Sequence, residues 1–321
     1  MTSFCYNIGM SKQSIQFQKG LSINNFMSNY GTETKCKAAL EQARYCRGYS
    51  CPKCGKTTFC IVYHRGIKTW QCNHCHNQTT LTAGTIFHNS KLSLFTWFYA
   101  FFMLTQSKNN VSALEMARTL GVCYRTAWRL KHKITQVMLE REDKRILVGR
   151  IEIDDAYLGG EKSGTKVGRG SPNKIPFIAA VQTENGRPKF AIYSRVKAFT
   201  SVDVEQWAMK RIKSGSVVVS DGFPCFNAVR KAGCYHTPFV VGAGNKSTKM
   251  ACFMWVNTLL GNLKTSMSGT YHSVKYDKYT DRYLGESQYR FNRRFDMKDM
   301  FIRLVYASVQ TGIRNENWLR A

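Results

Sequence analysis

The second half of the sequence predicts an α/β fold, behind a small cysteine-bearing ribbon and a helical segment. Two CxxC pairs separated by 17 residues indicate the ribbon. Between positions 92 and 140 the apolar residues recur with helical spacing. From about position 149 short apolar and alternating runs typical of strands follow, with Asn185-Gly186 between two of them, which is a strong hairpin signal.

Charge is the most informative bulk property. The chain has 321 residues, with 47 Lys+Arg against 20 Asp+Glu and a net charge of +27. Such an excess is relieved by a polyanion, so we expect nucleic acid as the first partner and an anionic membrane surface as the second. The 43% hydrophobic content excludes a disordered basic tail.

The sequence argues against membrane insertion and secretion. The longest apolar run, residues 92–104, is too short to span a bilayer and predicts a buried helix. The first residues have neither the charged nor the apolar region of a signal peptide. The cysteines outside the two pairs are scattered, which favours reduced thiols in a cytoplasmic protein.

The two cysteine pairs predict a structural zinc site. Their members are Cys51, Cys54, Cys72 and Cys75. Zinc prefers four soft ligands in a tetrahedron, and each pair supplies two thiolates, leaving no open position for a substrate. The alternative is four unconnected buried thiols or a redox pair. Lys68 and other basic residues nearby, with Trp70, predict a face that contacts DNA phosphates, the alternative being a solvated surface.

Residues 111–133 predict a helix-turn-helix. Apolar residues recur at helical spacing over 111–120, Gly121 provides a turn, and a basic second helix follows. This arrangement places the second helix in a DNA major groove, the alternative being an ordinary helical hairpin. We expect Trp128 to pack in the core. The predicted exposed readers are Tyr124, Arg125, Arg129 and Lys133.

Carboxylates in the second half predict a metal site. Asp154 and Asp155 lie within an otherwise apolar strand, and Asp221 ends the strand VVVS. A carboxylate in a buried strand is costly unless it is paired or binds a metal, and carboxylate oxygens are ligands for Mg²⁺. The alternative is that they are turn or capping aspartates, particularly for Asp221 before Gly222.

Asn257 and Lys264 are separated by seven residues in a predicted helix, and this spacing returns to nearly the same face. An amide oxygen and an ammonium would then point in one direction, towards a metal and a phosphate. Taken alone, they are ordinary surface residues of a basic helix.

The whole pattern resembles the DDE transposases, and more specifically insertion-sequence transposases with an amino-terminal zinc ribbon. The resemblance runs from about Phe26 to Arg294 and rests on the segments SNYGTETKC, CPKCG, IEIDDAYLGG, VVVSDGF, WVNTLLGNLK, GTYH and YRFNRR. It implies a mixed-sheet, RNase H-like core with flanking helices. It also implies Asp154 and Asp221 as ligands of two Mg²⁺ ions, helped by Asn257, with Lys264 on the phosphate at the element end.

Asn257 occupies the position that is Glu in most DDE enzymes, although members resembling this chain use Asn or His there. An amide oxygen is an uncharged ligand and cannot act as a general base. Glu286 is a reserve candidate for the missing carboxylate, the alternative being a solvated helix residue. We expect Asp155 to contact the metal ligands without binding the metal itself.

The expected organisation is a leader (1–32), a zinc ribbon (33–80), a helix-turn-helix region (90–140), the catalytic domain (146–300) and a tail (301–321). The expected partners are element-end and target DNA and further copies of the chain, in the cytoplasm or nucleoid, or in a eukaryotic nucleus. A non-catalytic DNA-binding regulator, a decayed transposase copy and a nuclease on the same core are the alternatives.

Overall fold

The computed structural model describes residues 19–160, 171, 173–239, 251–271 and 274–321. Part of the expected leader is a helix, α1 (Ile23–Tyr30), capped by the Ser22 side chain. Its Phe26 is fully buried, with its ring centroid 4.8 Å from that of Phe102. From Ile23 onwards the residues expected to form a leader therefore belong to the helical core, because Phe26 anchors them there.

The ribbon is a three-stranded antiparallel sheet of β1 (Phe59–His64), β2 (Ile67–Cys72) and β3 (Gln78–Thr80), preceded by α2 (Glu33–Arg44). Trp70 of β2 is only 2% exposed and packs against the ring of Tyr45, with their centroids 4.8 Å apart. Trp70 is therefore a core residue of the ribbon and does not belong to a DNA-contacting face.

A helical unit follows, made of α3 (Leu94–Gln106), α4 (Ala113–Leu120) and α5 (Tyr124–Glu142). Glu33 caps α3, since its carboxylate accepts the backbone N–H groups of Leu94 and Phe95 at 3.1 and 3.0 Å. The apolar run predicted as a buried helix is α3, and no helix in the described ranges is long and apolar enough to cross a membrane.

The α/β unit is built on a five-stranded sheet. Its strands are β4 (Arg150–Leu158), β5 (Ile175–Glu184), β6 (Arg187–Arg195), β7 (Val217–Ser220) and β8 (Tyr235–Pro238), in the order β6-β5-β4-β7-β8. The pairs β4–β5 and β5–β6 are antiparallel, whereas the pairs β4–β7 and β7–β8 are parallel. This is the mixed sheet of an RNase H-like core, so the predicted fold class is confirmed.

Helices cover both faces of this sheet. One face packs against α6 (Ser201–Arg211) and a 3-10 helix (Pro224–Ala232), and the other against α7 (Met254–Thr270) and α8 (Tyr276–Phe291). The predicted hairpin joins β5 to β6, with positive φ angles of 51° and 71° at Asn185 and Gly186. The strand predicted over 237–241 overlaps β8 at residues 237 and 238, and residues 240 and 241 lie outside the described residues.

The C-terminal segment is not a tail. Helix α9 (Met297–Gln310) buries Phe301 and Leu304 in the core formed by α1 to α5, and α10 (Glu316–Arg320) follows it. Residues 301–321 therefore complete the helical unit, because the apolar face of α9 has its complement there and not on the sheet.

Candidate active site

The register of β4 and β7 brings Asp154 and Asp221 together. The two strands are parallel neighbours, and Glu152 of β4 pairs with Val219 of β7. Two residues further along, Asp154 in the middle of β4 therefore lies beside Asp221, which directly follows the end of β7.

Asp155 joins them, since oxygen atoms of all three carboxylates lie within 4.8 Å of one another. Burial, with the charges of Asp155 and Asp221, raises the pKa of Asp154 to about 7. Three carboxylates this close repel one another, and a divalent cation bound to their oxygens would relieve the repulsion. The donor set therefore fits a magnesium-type ion, which takes oxygen ligands.

Helix α7 contributes the other two expected site residues. Asn257 lies in its first turns and is half-buried, whereas Lys264 is exposed two turns later. The charge of Lys264 lowers the pKa of Asp154, against the larger effects of burial and the neighbouring carboxylates, so the ammonium faces the site. Lys264 and Asp155 also line a cavity of about 490 Å³, together with Tyr276 of α8.

Glu152, which the sequence analysis missed, fixes α7 to the sheet. Its side chain is fully buried, and Oε2 accepts the backbone N–H groups of Trp255 and Val256 at 3.0 and 3.1 Å. Arg150 pairs with its other oxygen at 2.8 Å. Alternate residues of a strand share a face, so Glu152 and Asp154 both point towards α7. A second carboxylate two positions before Asp154 in an apolar strand was the available signal.

A hydrogen-bonded chain begins at Ser220, the residue directly before Asp221. Ser220 Oγ lies 2.9 Å from His236 Nε2, and His236 Nδ1 lies 3.1 Å from Asn227 Oδ1. Asp221 Oδ1 accepts the backbone N–H of Phe223 at 3.1 Å. Asp221 thus makes the local turn contact expected from the alternative interpretation and also belongs to the carboxylate group.

Glu286 does not belong to this site. It is fully buried between α5 and α8, and its Oε2 lies 3.6 Å from Lys131 Nζ. The metal-type group found among the described residues contains Asp154, Asp155 and Asp221 and excludes Glu286. Both interpretations of Glu286 are wrong, because its helix face packs against α5 and meets neither solvent nor the site.

The four cysteines of the ribbon form the second metal-type group of the described residues. Cys51 Sγ lies 3.6 Å from Cys75 Sγ, and Cys54 Sγ lies 3.6 Å from Cys72 Sγ. A tetrahedral zinc ion with bonds of about 2.3 Å implies sulfur–sulfur distances of about 3.8 Å, whereas a disulfide needs about 2 Å. Backbone N–H groups of its own knuckle, led by that of Cys75, lower the pKa of Cys72. The geometry fits zinc.

The helix-turn-helix has the expected form. Helix α4 ends at Gly121 in the left-handed conformation, with φ of 63°, and α5 begins three residues later at Tyr124. Tyr124 is 57% exposed, and the side chains of Arg125 and Arg129 are 70% and 44% exposed. Trp128 is half-buried and stacks on His132, with ring centroids 4.2 Å apart.

Two of the expected DNA contacts face protein groups. Lys133 Nζ donates to the carbonyl of Ile86 at 2.8 Å, so the expectation of an exposed reader is wrong for Lys133. Lys68 Nζ pairs with Glu41 at 2.7 Å and remains about one-third exposed. The helical pattern placed Lys133 on the basic face, but that part of the face is covered by the segment before α3.

Two family models match the chain. Residues 146–292 match the ISXO2-like transposase domain, and residues 31–78 match the transposase zinc-ribbon domain. Together the two matches span more than half of the 321 residues. Their order along the chain is the one that the cysteine pairs and the carboxylates predict.

Individual proteins give more distant matches. "Uncharacterized protein in transposable element ISH50" of Halobacterium salinarum is 22% identical over 230 residues, which cover 67% of this chain and 76% of that protein. The Mos1 strand transfer complex matches 68% of this chain and 79% of its own, with 12% identity and a TM-score of 0.26. A pre-cleavage Mos1 transpososome matches 68% of this chain and 80% of its own, with 10% identity and a TM-score of 0.25. On these matches, the chain contains an ISXO2-like transposase domain behind a transposase zinc ribbon.

Proposed function

We propose that this chain cleaves DNA at the ends of an insertion sequence and joins those ends to target DNA. The observation that best supports the proposal is the convergence of Asp154, Asp155 and Asp221, whose carboxylate oxygens lie within 4.8 Å of one another. Three carboxylates this close offer the set of oxygen ligands that a divalent ion takes.

In this proposal Asp154 and Asp221 are the principal Mg²⁺ ligands, and the amide oxygen of Asn257 is a third donor. Bound Mg²⁺ would supply activation of the attacking water or 3′-hydroxyl and stabilisation of the leaving 3′-oxygen. Asn257 cannot accept the proton of the nucleophile, so the deprotonated carboxylates and the solvent must do so. Glu152 holds α7 at the distance at which Asn257 faces the two strands.

Lys264 orients the DNA. Its side chain, seven residues after Asn257, is exposed and lines the same cavity as Asp155. There it would bind a phosphate next to the scissile bond, which positions the bond over the carboxylates and offsets their negative charge on the approaching strand.

DNA ends would be held by the zinc ribbon and by α5. Arg125 and Arg129 project from the exposed part of the second helix, and Lys68 lies on the ribbon. Zinc on the four cysteines is structural in this scheme. Since two ends must be brought together for joining, we propose that the active form contains at least two copies of the chain.

The test is a cleavage and strand-transfer assay with purified protein and DNA that carries the flanks of its own gene. Metal-dependent nicking at the 3′ ends and joining, lost in Asp221→Ala with end binding retained, is the expected result. Cleavage that survives in Asp221→Ala would overturn the assignment. Specific end binding without nicking by the wild-type chain would indicate a non-catalytic regulator or a decayed copy.

A further inference from the structure

We propose that Glu316, near the C-terminus, is a positioning residue of the DNA-reading surface and fixes Arg125 for recognition of a guanine. The inference rests on the proposed binding of DNA by α5 and assigns a specificity role to α10, a segment that the sequence indicates only as a tail. It concerns which base is read, and not whether DNA is bound.

The contact between the two residues uses one edge of the guanidinium. Arg125 Nε donates to Glu316 Oε1 at 3.1 Å, and Arg125 Nη2 donates to Glu316 Oε2 at 3.2 Å. This side-on pairing leaves the other edge, formed by Nη1 and the second hydrogen of Nη2, pointing away from the carboxylate. In the part of the chain that the structure describes, that edge has no hydrogen bond.

The outward edge has the geometry that reads guanine. Two parallel N–H donors of one arginine match the O6 and N7 acceptors of guanine in the major groove, and this is the commonest specific contact of protein with DNA. An arginine held by a carboxylate loses less side-chain freedom on binding than a free one. The exposed fractions of the two side chains fit an arginine that faces DNA and a carboxylate that holds it, since the Arg125 side chain is 70% exposed and that of Glu316 only 15%.

The position of Arg125 in the helix-turn-helix supports the same conclusion. It is the second residue of α5, after the left-handed turn at Gly121. The residues at the beginning of the second helix are the ones that reach base edges in this motif.

Glu316 is itself held in place. Arg320 Nε donates to its Oε1 at 2.9 Å, and Arg129 Nη1 lies 3.4 Å from its Oε2. Helix α10 is fixed by Leu319, which is fully buried and whose carbonyl accepts Arg282 Nη1 at 2.7 Å. The carboxylate therefore has a rigid support, which a residue that positions another must have.

A competing role for Glu316 would be to mask α5 from DNA. Three arginines surround this single carboxylate, so the cluster keeps a net positive charge and still attracts phosphates. Since Glu316 is the more buried partner, it lies behind Arg125 and does not cover it.

The experiment is selection of preferred sites from random-sequence duplexes by the full chain, followed by binding measurements on the selected site. Wild type is expected to enrich a guanine at one position, and Arg125→Ala to lose that preference. Glu316→Gln is expected to lower the ratio of affinities for guanine and 7-deazaguanine at that position at least about five-fold, because 7-deazaguanine lacks N7. Glu316→Asp, which keeps the charge and shortens the reach, should give the same loss.

The matched control is Glu184→Gln, which removes the same charge from the exposed pair with Lys189 in the β5–β6 hairpin. It should keep the wild-type ratio. The proposal is overturned if Glu316→Gln keeps that ratio, or if it binds all sequences more tightly by one common factor, as a mask would produce. If the wild-type chain bound no DNA in the selection, or cleaved none in the cleavage assay, that result would instead count against the proposed function.

Discussion

Glu152 Oε2 accepts the backbone N–H of Val256 at 3.1 Å, and this hydrogen bond ties the strand that bears Asp154 to the helix that bears Asn257 and Lys264. The same oxygen accepts the N–H of Trp255 at 3.0 Å. A carboxylate at a helix N-terminus satisfies donors that have no partner within the helix and interacts favourably with the helix dipole. The relative position of the two halves of the site thus depends on a residue that does not face DNA.

Replacing Glu152 with Ala should reduce cleavage more than it reduces end binding. The substitution leaves two helix N–H groups without a buried acceptor and removes one of the acceptors of Arg150, which costs about 2–4 kcal/mol of unfolding free energy. Urea unfolding and nicking rates measure the two effects. Glu152→Gln keeps one acceptor oxygen and should recover part of both; equal activity of Glu152→Ala and wild type would contradict the role.

Asp154→Asn should change how stability depends on pH. The pKa of Asp154 is about 7 in the metal-free native state, against 3.8 as its ordinary value. Between these values the native carboxyl keeps a proton that the unfolded chain has lost, so the stability of the metal-free wild type falls as pH rises through this window.

Asp154→Asn has no carboxyl group at this position, so its stability does not fall in this pH window. At pH 8 it should gain about 4 kcal/mol relative to wild type, compared with their difference below pH 3. Thermal or urea unfolding in the presence of a chelator measures the difference. Mg²⁺ should stabilise wild type and leave Asp154→Asn nearly unchanged. A difference that does not vary with pH would show that the carboxylates do not repel one another in the native state.

Lys264→Gln should lower the nicking rate at least about ten-fold, since an ammonium that meets a phosphate at the reacting centre contributes this much or more. The lysine also lowers the pKa of Asp154, so its removal should shift the rise of nicking at low Mg²⁺ to higher pH. Lys144→Gln, a change of equal charge at an exposed position outside the site, is the control. Equal effects of the two variants would reduce Lys264 to a general electrostatic contribution.

Cys72→Ser should remove zinc from the ribbon and lower end binding, because the ribbon has little other core to hold its knuckles. Metal analysis of the purified chain and end-binding titration measure the two effects. Cys60→Ser alters an exposed thiol outside the four-cysteine group and should keep the wild-type zinc content. Zinc retained by Cys72→Ser would contradict the tetrahedral site.

Lys131→Met should destabilise the chain by about 3–5 kcal/mol, since it leaves Glu286 as an unpaired buried charge. Lys131 also donates to the carbonyl of Val111 and to the hydroxyl of Tyr271, so the acceptors at the junction of α4, α5 and α7 lose their donor. The double variant Lys131→Met/Glu286→Leu should regain much of the stability in urea unfolding. A double variant as unstable as the single one would show that the pairing itself matters little.

Local patterns predicted a large part of this molecule. The knuckle spacing, Asn185-Gly186 and Gly121 each specify a backbone geometry within a few residues, and the structure has all three. Asp154 and Asp221 were identifiable because a carboxylate in a short apolar strand has few structural explanations. The mixed sheet came from the resemblance, since strand order depends on contacts between distant segments.

The features that escaped prediction depend on such distant contacts. Arg125 and Glu316 are 191 residues apart in sequence, and no periodicity relates them. Lys133 occupies the basic face of α5, but the segment around Ile86 packs over that part of the helix. Glu286 has the sequence context of a surface helix residue, although α5 covers it completely. A helical pattern predicts on which face of the helix a residue lies, but it does not predict which segment packs against that face.

The packing of α9 against α1 to α3 has a consequence for synthesis on the ribosome. The α/β unit lies in sequence between the two parts of the helical core, so Phe26 and Phe98 acquire their partner Phe301 only after the whole catalytic unit has emerged. A chain that stops before residue 297 would keep both metal-type groups but leave the apolar side of α1 to α3 uncovered. Completion of the helical unit is thereby tied to completion of the entire polypeptide, and we expect truncated products to expose an apolar surface that makes them substrates for proteolysis.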